Sequence, residues 1–275
     1  MNLRRELING IWSLWPRSVA TVVDGRRFRV PLQRGFDRRL LNASREPWLD
    51  QAILQACAGS GAVLVDVGAN CGQTLLKARA LQPDLRYVGF EPNPACAGYV
   101  QQLIALNRLP DSQVFACALG AEVGATRLFV ASPADPSATV IANFRGRETG
   151  ATSLSVLVET GDEMLARLAL DRVDLLKIDV EGAEAEVLAG LEATIRRYRP
   201  VIACEVLRSH DPAHPTHDLR QRSKARINQQ VAALGYSIFG LEGEVQQSVS
   251  GVSDRYRNYL FRPAATMRST SAVVE

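Results

Sequence analysis

Val63-Leu64-Val65-Asp66-Val67-Gly68-Ala69-Asn70-Cys71-Gly72-Gln73-Thr74 is an apolar, β-branched run that ends in small residues and opens onto a helical pattern. Residues 63–67 have the character of a strand buried on both faces, whereas Leu75, Leu76, Ala78 and Leu81 recur at helical spacing. The stretch therefore reads as strand, tight loop and helix. Gly68 and Gly72 fall where the backbone must turn sharply and where a ligand must reach main-chain atoms that a Cβ would screen.

A second short strand, Arg86-Tyr87-Val88-Gly89-Phe90, ends in Glu91, which lies 19 residues past Gly72. In doubly wound sheets an acid at that place accepts hydrogen bonds from ribose hydroxyls. Loop and acid together define a nucleoside site, and two cofactor classes share the geometry. A dinucleotide site requires G-x-G-x-x-G, whose second glycine lets the backbone touch the pyrophosphate, and here Asn70 stands at that position. S-adenosylmethionine has no pyrophosphate; it presents an ammonium, a carboxylate and a sulfonium, which Asp66 and Asn70 suit better. Residues 68–74 also lack the Lys of a phosphate-binding P-loop.

Asp66-Val67-Gly68-Ala69-Asn70-x-Gly72, Phe90-Glu91-Pro92-Asn93-Pro94, Ala118-Leu119-Gly120 and Leu176-Lys177-Ile178-Asp179-Val180-Glu181-Gly182-Ala183-Glu184 occur in this order, and together they resemble the FkbM-type methyltransferases over residues 46–206. The resemblance implies an α/β, Rossmann-like class I fold, with a doubly wound, mostly parallel seven-stranded sheet and an antiparallel edge. It also implies an S-adenosylmethionine-dependent enzyme that O-methylates hydroxyls of sugars or polyketide-like natural products. Glu46 matches a family position near the cofactor. One departure is visible: the family usually has Leu before the acid that closes its post-insertion strand, and this chain has Gly161 before Asp162.

A chain of 275 residues that is 47% hydrophobic can bury the core of one large α/β domain. Its net charge of +3, with no basic run or aromatic-interleaved patch, gives no sign of a nucleic-acid partner. The 5 cysteines are odd in number and dispersed, without paired C-x-x-C spacing, which suits reduced thiols rather than a zinc site. Cys71, inside the loop, reads as a small space-filler. No stretch reaches the roughly 20 apolar residues of a membrane span, and the N-terminus makes a poor signal peptide, so cytoplasmic residence is the expectation.

Residues 1–45 read as an extension: an amphipathic helix carrying Leu3, Leu7, Ile11 and Leu14 as far as Pro16, then a hairpin around Asp24-Gly25. Residues 46–263 form the methyltransferase domain, and residues 264–275 a flexible tail. Within the domain, residues 121–158 hold two strand-like runs around a long Pro/Ala/Ser/Asn-rich loop, which suggests a hairpin or lid over the catalytic face. Arg145 and Arg147 read as solvated loop charges. Residues 183–199 read as one helix with its arginines near the end.

Parallel strands joined by right-handed crossovers place the binding crevice at their carboxyl ends. The cofactor set expected there is Glu46, Asp66, Gly68, Asn70, Gly72, Glu91 and Asn93, with Ala118 and Leu119 flanking an adenine ring. Asp179, Glu181 and Glu205 ring the same crevice, and His210 follows Glu205 closely; these four are the catalytic candidates, orienting or deprotonating an acceptor hydroxyl. A divalent cation bridging Asp179, Glu181 and Glu205 is an alternative route to that end, though not the favoured one. His210, His214 and His217 share a loop-like stretch with two prolines, Pro212 and Pro215, and lack helical ligand spacing, while Thr216 or Asp218 reads as the cap of the next helix. The partner implied is a small-molecule or glycan acceptor. Two rivals stand: a nicotinamide-dependent oxidoreductase, opposed by Asn70, and a non-catalytic nucleoside-binding module, opposed by the crevice acids.

Overall fold

The computed structural model describes residues 18–33, 36, 46–132, 135, 137–142, 152–209, 211–243 and 245–264. The helix expected over residues 1–16, Arg145, Arg147, His210 and the tail beyond residue 264 lie outside the described residues. Asp24 and Gly25 both have positive φ, 45° and 79°, as the two central positions of a type I′ turn require. They join β1 (Ser18–Val23) to β2 (Arg26–Pro31) in the expected hairpin.

Next come α1 (Pro47–Ala56), β3 (Val63–Val67), α2 (Gln73–Leu81), β4 (Arg86–Phe90), α3 (Pro94–Asn107) and β5 (Ser112–Phe115). After β6 (Ala118–Leu119) the insertion brings β7 (Gly124–Val130) and β8 (Thr152–Glu159), and α4 (Gly161–Arg167) follows. The second half runs through β9 (Leu175–Ile178), α5 (Glu184–Gly190), α6 (Glu192–Tyr198), β10 (Val201–Glu205), α7 (His217–Ala233), β11 (Tyr236–Glu242), β12 (Val245–Val249) and β13 (Asn258–Pro263).

The main sheet has the order β12-β11-β13-β10-β9-β3-β4-β5. β5, β4, β3, β9 and β10 are mutually parallel, and β13 runs antiparallel to both β10 and β11. β3 is buried at every position and sits where the strand order reverses, the switch point at which such sheets bind ligands. One face is covered by α1, α2 and α3, through Leu49, Ile53, Leu75, Leu76, Tyr99 and Leu103. The other is covered by α4 to α7, through Leu165, Val187, Leu188, Ile195, Ile227 and Val231. The hairpin shares the first of these cores, to which it contributes Val23, Phe28 and Val30.

Three features differ from the sequence expectation. The sheet has one strand more than seven, because β12 adds to the antiparallel end by pairing with β11. Its sequence, Val-Gln-Gln-Ser-Val, is largely exposed and lacks the apolar run that marks a strand in a core. The single helix expected over residues 183–199 is two. A Cβ on Gly190 would lie 2.0 Å from the carbonyl oxygen of Gly120, Leu191 leaves helical geometry at ψ 12°, and the Asp162 carboxylate accepts from the amides of Ala193 and Thr194 (2.9 and 2.8 Å), capping a new helix. The insertion forms the expected antiparallel hairpin of β7 and β8, but β6, just ahead of it, pairs parallel with β8 and makes this a separate three-stranded sheet. Gly161 is explained by the same packing, since a Cβ there would meet Leu191 Cδ2 at 2.3 Å.

Candidate active site

Strand register sets the site. Val67 is opposite Phe90 and Ile178, Phe90 is opposite Phe115, and Ile178 is opposite Cys204. The next residues along these strands, Gly68, Glu91, Asp179 and Glu205, therefore emerge at one level along the carboxyl edge. A crevice opens there, lined by Gly68, Asn70, Phe90, Glu91, Cys117, Ala118, Leu119, Asp179 and Glu181, and closed on one side by Leu128, Asp135, Ala138 and Val140 of the insertion.

The loop after β3 has three left-handed residues, Gly68, Asn70 and Gly72, and the first two shape the site. Gly68 has φ 88°, and its amide and that of Ala69 both donate to Phe90 O (2.9 and 3.1 Å). Asn70 has φ 46°, a conformation asparagine tolerates because its short side chain bonds locally, here with Oδ1 accepting from the backbone amide of Cys71 at 2.7 Å. That bend aims the Asn70 amide at Glu91 Oε2 (2.7 Å), while the Asn93 amide donates to Glu91 Oε1 (2.8 Å). Burial pushes the Glu91 carboxyl up to about 7, against the pull of these two amides. Asn93 also caps α3, its side chain accepting from the amide of Ala95 (3.1 Å).

Beneath the loop lies a charged set. Asp66 is fully buried; Tyr87 donates its hydroxyl to Oδ2 (2.6 Å), and Lys177 Nζ lies 3.5 Å from Oδ1. Lys177 also reaches Asp179 Oδ2 (3.3 Å). Burial alone would depress the Lys177 ammonium, but Asp179, Asp66 and Glu46 together hold it above its usual value. Glu46 stands at the head of α1, its carboxyl raised by burial within the field of Lys177 and Asp179. Cys71 is buried, and its thiol is pushed up to about 12, leaving no thiolate to act as a nucleophile.

At the other end, carboxylate oxygens of Asp179, Glu181 and Glu205 come within 4.8 Å of one another. Burial, then the neighbouring Asp179, raises Glu205 to about 7, although Arg257 Nε donates to its Oε1 (2.6 Å). Glu181 has φ 55°. For a residue without a short side chain that conformation costs about 1–2 kcal/mol, so it persists only because its surroundings hold it.

The predicted residues thus fall into three groups. Gly68, Asn70, Glu91, Ala118, Leu119, Asp179 and Glu181 line the crevice. Asp66, Glu46, Asn93 and Glu205 stand behind or beside it as buried or half-buried supports. Gly72, with φ 86°, serves helix packing: a Cβ there would meet Leu103 Cδ1 at 2.8 Å. His214 Nδ1 bonds Thr216 Oγ1 (2.8 Å) and His217 Nδ1 bonds Ser209 O (3.0 Å); Thr216 begins α7 without a side-chain cap bond. Sequence reading missed Tyr87, Lys177, Arg257 and the insertion residues Asp135, Ala138 and Val140. A lysine inside the otherwise apolar Leu175-Leu176-Lys177-Ile178 was the one available signal.

A doubly wound sheet of this order, with an acid-bearing crevice at its switch point, defines the Rossmann-like class I methyltransferase fold. The Methyltransferase FkbM domain family matches residues 66–238, and the chain belongs to that family. Similar curated proteins include Methyltransferase sdnD of Sordaria araneosa, 30% identical over 174 residues, covering 54% of this chain and 67% of that protein. Another is the 31-O-demethyl-FK506 methyltransferase FkbM of Streptomyces tacrolimicus, 31% identical over 173 residues, with 52% and 65% covered. The chain spans about two thirds of the length of these relatives. Among solved structures, Methyltransferase FkbM from Methylobacillus flagellatus KT is similar at 18% identity and a TM-score of 0.45, over 74% of this chain and 43% of that one. No helix among the described residues is long and apolar enough to cross a membrane.

Proposed function

We propose that this chain is an S-adenosylmethionine-dependent methyltransferase that O-methylates a hydroxyl of a sugar or natural-product acceptor. The observation that carries the reading is the charge of the crevice. Its lining holds the carboxyl groups of Glu91, Asp135, Asp179 and Glu181 and, among the described residues, neither Lys nor Arg. A sulfonium and an ammonium are attracted to such a lining, whereas the pyrophosphate of a dinucleotide would be repelled. The donor set fits as well. Each Glu91 oxygen takes one backbone amide and keeps a lone pair for a ribose hydroxyl, while Phe90, Leu119, Leu128 and Val140 offer apolar surface to a base.

The cofactor would supply an activated methyl group. The chain's own residues bind, align and manage a proton. Glu91 and the amide-rich loop from Gly68 to Asn70 hold the nucleoside end. Asp179 and Glu181 face the acceptor, and Glu205, near 7, is tuned to take a proton at neutral pH, with Arg257 fixing its orientation. His210, shortly after Glu205, is a proposed partner in that transfer.

Calorimetric titration with S-adenosylhomocysteine, with NAD as the competing ligand, tests the reading. Micromolar binding that is lost in Glu91→Gln and unaffected by NAD is expected. Binding of NAD, or of neither compound, would reject it.

A further inference from the structure

We propose that Thr139 and Glu184 are positioning residues that clamp the Glu181–Gly182 peptide, so that what occupies the crevice governs where the Glu181 carboxylate stands. This rests on the reading of the crevice as a cofactor site.

The two residues grip opposite ends of one peptide unit. Thr139 Oγ1 donates to the carbonyl oxygen of Glu181 at 2.7 Å, and the amide of Gly182 donates to Glu184 Oε1 at 2.8 Å. Both gripping side chains belong to buried residues, Thr139 at 3% and Glu184 at 2% exposure, so water does not compete for either bond. The peptide needs holding. Glu181 has φ 55° and Gly182 has φ 116°, and a glycine on the far side lets the unit rotate into another orientation once its bonds are removed. With the unit freed, Glu181 can leave its strained positive φ, and that change in its own backbone would carry its carboxylate away from Asp179 and Glu205.

Thr139 is itself fixed from the insertion. It bridges Phe129 with both backbone bonds, N to O at 2.9 and 3.3 Å, and its Oγ1 accepts from the amide of Ile141 at 3.1 Å. Its two neighbours, Ala138 and Val140, line the crevice beside Leu128. The wall that a bound nucleoside would press on and the hydroxyl that orients Glu181 are therefore consecutive residues of one short segment. A ligand that packs against Ala138 and Val140 immobilises Thr139 and tightens the clamp. Neither Thr139 nor Glu184 need touch a reacting atom for this to operate.

Amide hydrogen exchange of residues 180–184, followed by mass spectrometry, separates the clamp from the cofactor reading. It is measured on the full chain for wild type, Thr139→Val, Thr139→Ser and Glu184→Gln, with and without S-adenosylhomocysteine. Without ligand, Thr139→Val should exchange at Gly182 at least tenfold faster than wild type, while Thr139→Ser and Glu184→Gln, which keep a donor and an acceptor, stay within about threefold. With ligand, protection should rise in wild type and Thr139→Ser and fail to rise in Thr139→Val, at an affinity unchanged within about threefold. Equal exchange of Thr139→Val and wild type without ligand overturns the clamp, whether or not the ligand binds. A clamp seen without ligand, in a chain that does not bind S-adenosylhomocysteine, overturns the link to the crevice and the cofactor reading but leaves the clamp standing. Should Thr139→Val fail to fold, the comparison of Glu184→Ala with Glu184→Gln at the same amide decides by the same criterion.

Discussion

A Cβ placed on Gly68 would lie 1.9 Å from the carbonyl oxygen of Asp179. The loop that follows β3 and the end of β9 are thus in backbone contact, and glycine is required there twice over, by φ 88° and by the contact. Gly68→Ala must either push β9 away or rotate the loop. A loss of at least about 2 kcal/mol in urea unfolding is expected, together with loss of S-adenosylhomocysteine binding. A fully stable Gly68→Ala protein would show that the contact relaxes freely.

Lys177 is the cation that makes Asp66 tolerable in the core. Asp66 Oδ1 has no hydrogen bond and only the Lys177 ammonium 3.5 Å away, so Lys177→Met leaves a fully buried carboxyl without its opposite charge. Breaking a buried pair from one side costs about 3–5 kcal/mol, and Asp66→Asn in the same chain should return part of that loss. A double-mutant cycle in denaturant measures the coupling directly.

Two buried glutamates, Glu91 and Glu184, and the half-buried Glu205 contribute to the pH dependence of the unliganded protein. Glu184 is raised to about 8, and Glu91 and Glu205 to about 7, in each case first by burial. The groups that face them are Glu181 and Asp179 for Glu184, Asp66 and Asp179 for Glu91, and Asp179, Glu181 and Arg257 for Glu205. Each carboxyl binds its proton more tightly folded than unfolded, so the stability it lends is complete below the ordinary glutamate value and is lost as pH rises through 7 to 8. The melting temperature should fall steadily from pH 5 to pH 8, each group contributing up to about 1.4 kcal/mol per pH unit within its window. Glu184→Gln should flatten the upper part of that slope, as thermal melts across the range would show.

Asp179 and Glu205 already have cations beside them, Lys177 and Arg257 respectively. Dialysis against EDTA should therefore leave the melting temperature and the S-adenosylhomocysteine affinity unchanged. An increase of several degrees on adding Mg²⁺ or Mn²⁺ would instead assign Asp179, Glu181 and Glu205 to a divalent ion, with Arg257 displaced from Glu205.

The parts of the site that were legible in the sequence are those in which one residue's type answers a local demand. Gly68 and Asn70 fit left-handed backbone, and Glu91 ends a strand at the right spacing from the loop. What escaped depends on partners far apart in the chain. Lys177 is chosen by Asp66, Arg257 by Glu205, and Thr139 by a carbonyl 42 residues away. The break between α5 and α6 was invisible for the same reason, since its causes are the Gly120 carbonyl and the Asp162 carboxylate. β12 was missed because a polar edge strand has no apolar signature of its own.

The side chain of Asn107, at the end of α3, bonds the amide and the carbonyl of Arg29 on β2, both at 2.7 Å, as a neighbouring strand would. Phe28 and Val30 meanwhile fill the core beside Tyr99 and Leu103. Inheritance and autonomy therefore have different borders in this protein. The match to the Methyltransferase FkbM domain begins at residue 66, beyond the hairpin, and stops at residue 238, before the strand that separates β10 from β11. A gene fragment trimmed to those limits would expose one side of α3 and leave β10 without a partner on its outer edge. Fusions and recombinant versions of this chain should be cut no closer than residues 18 and 264.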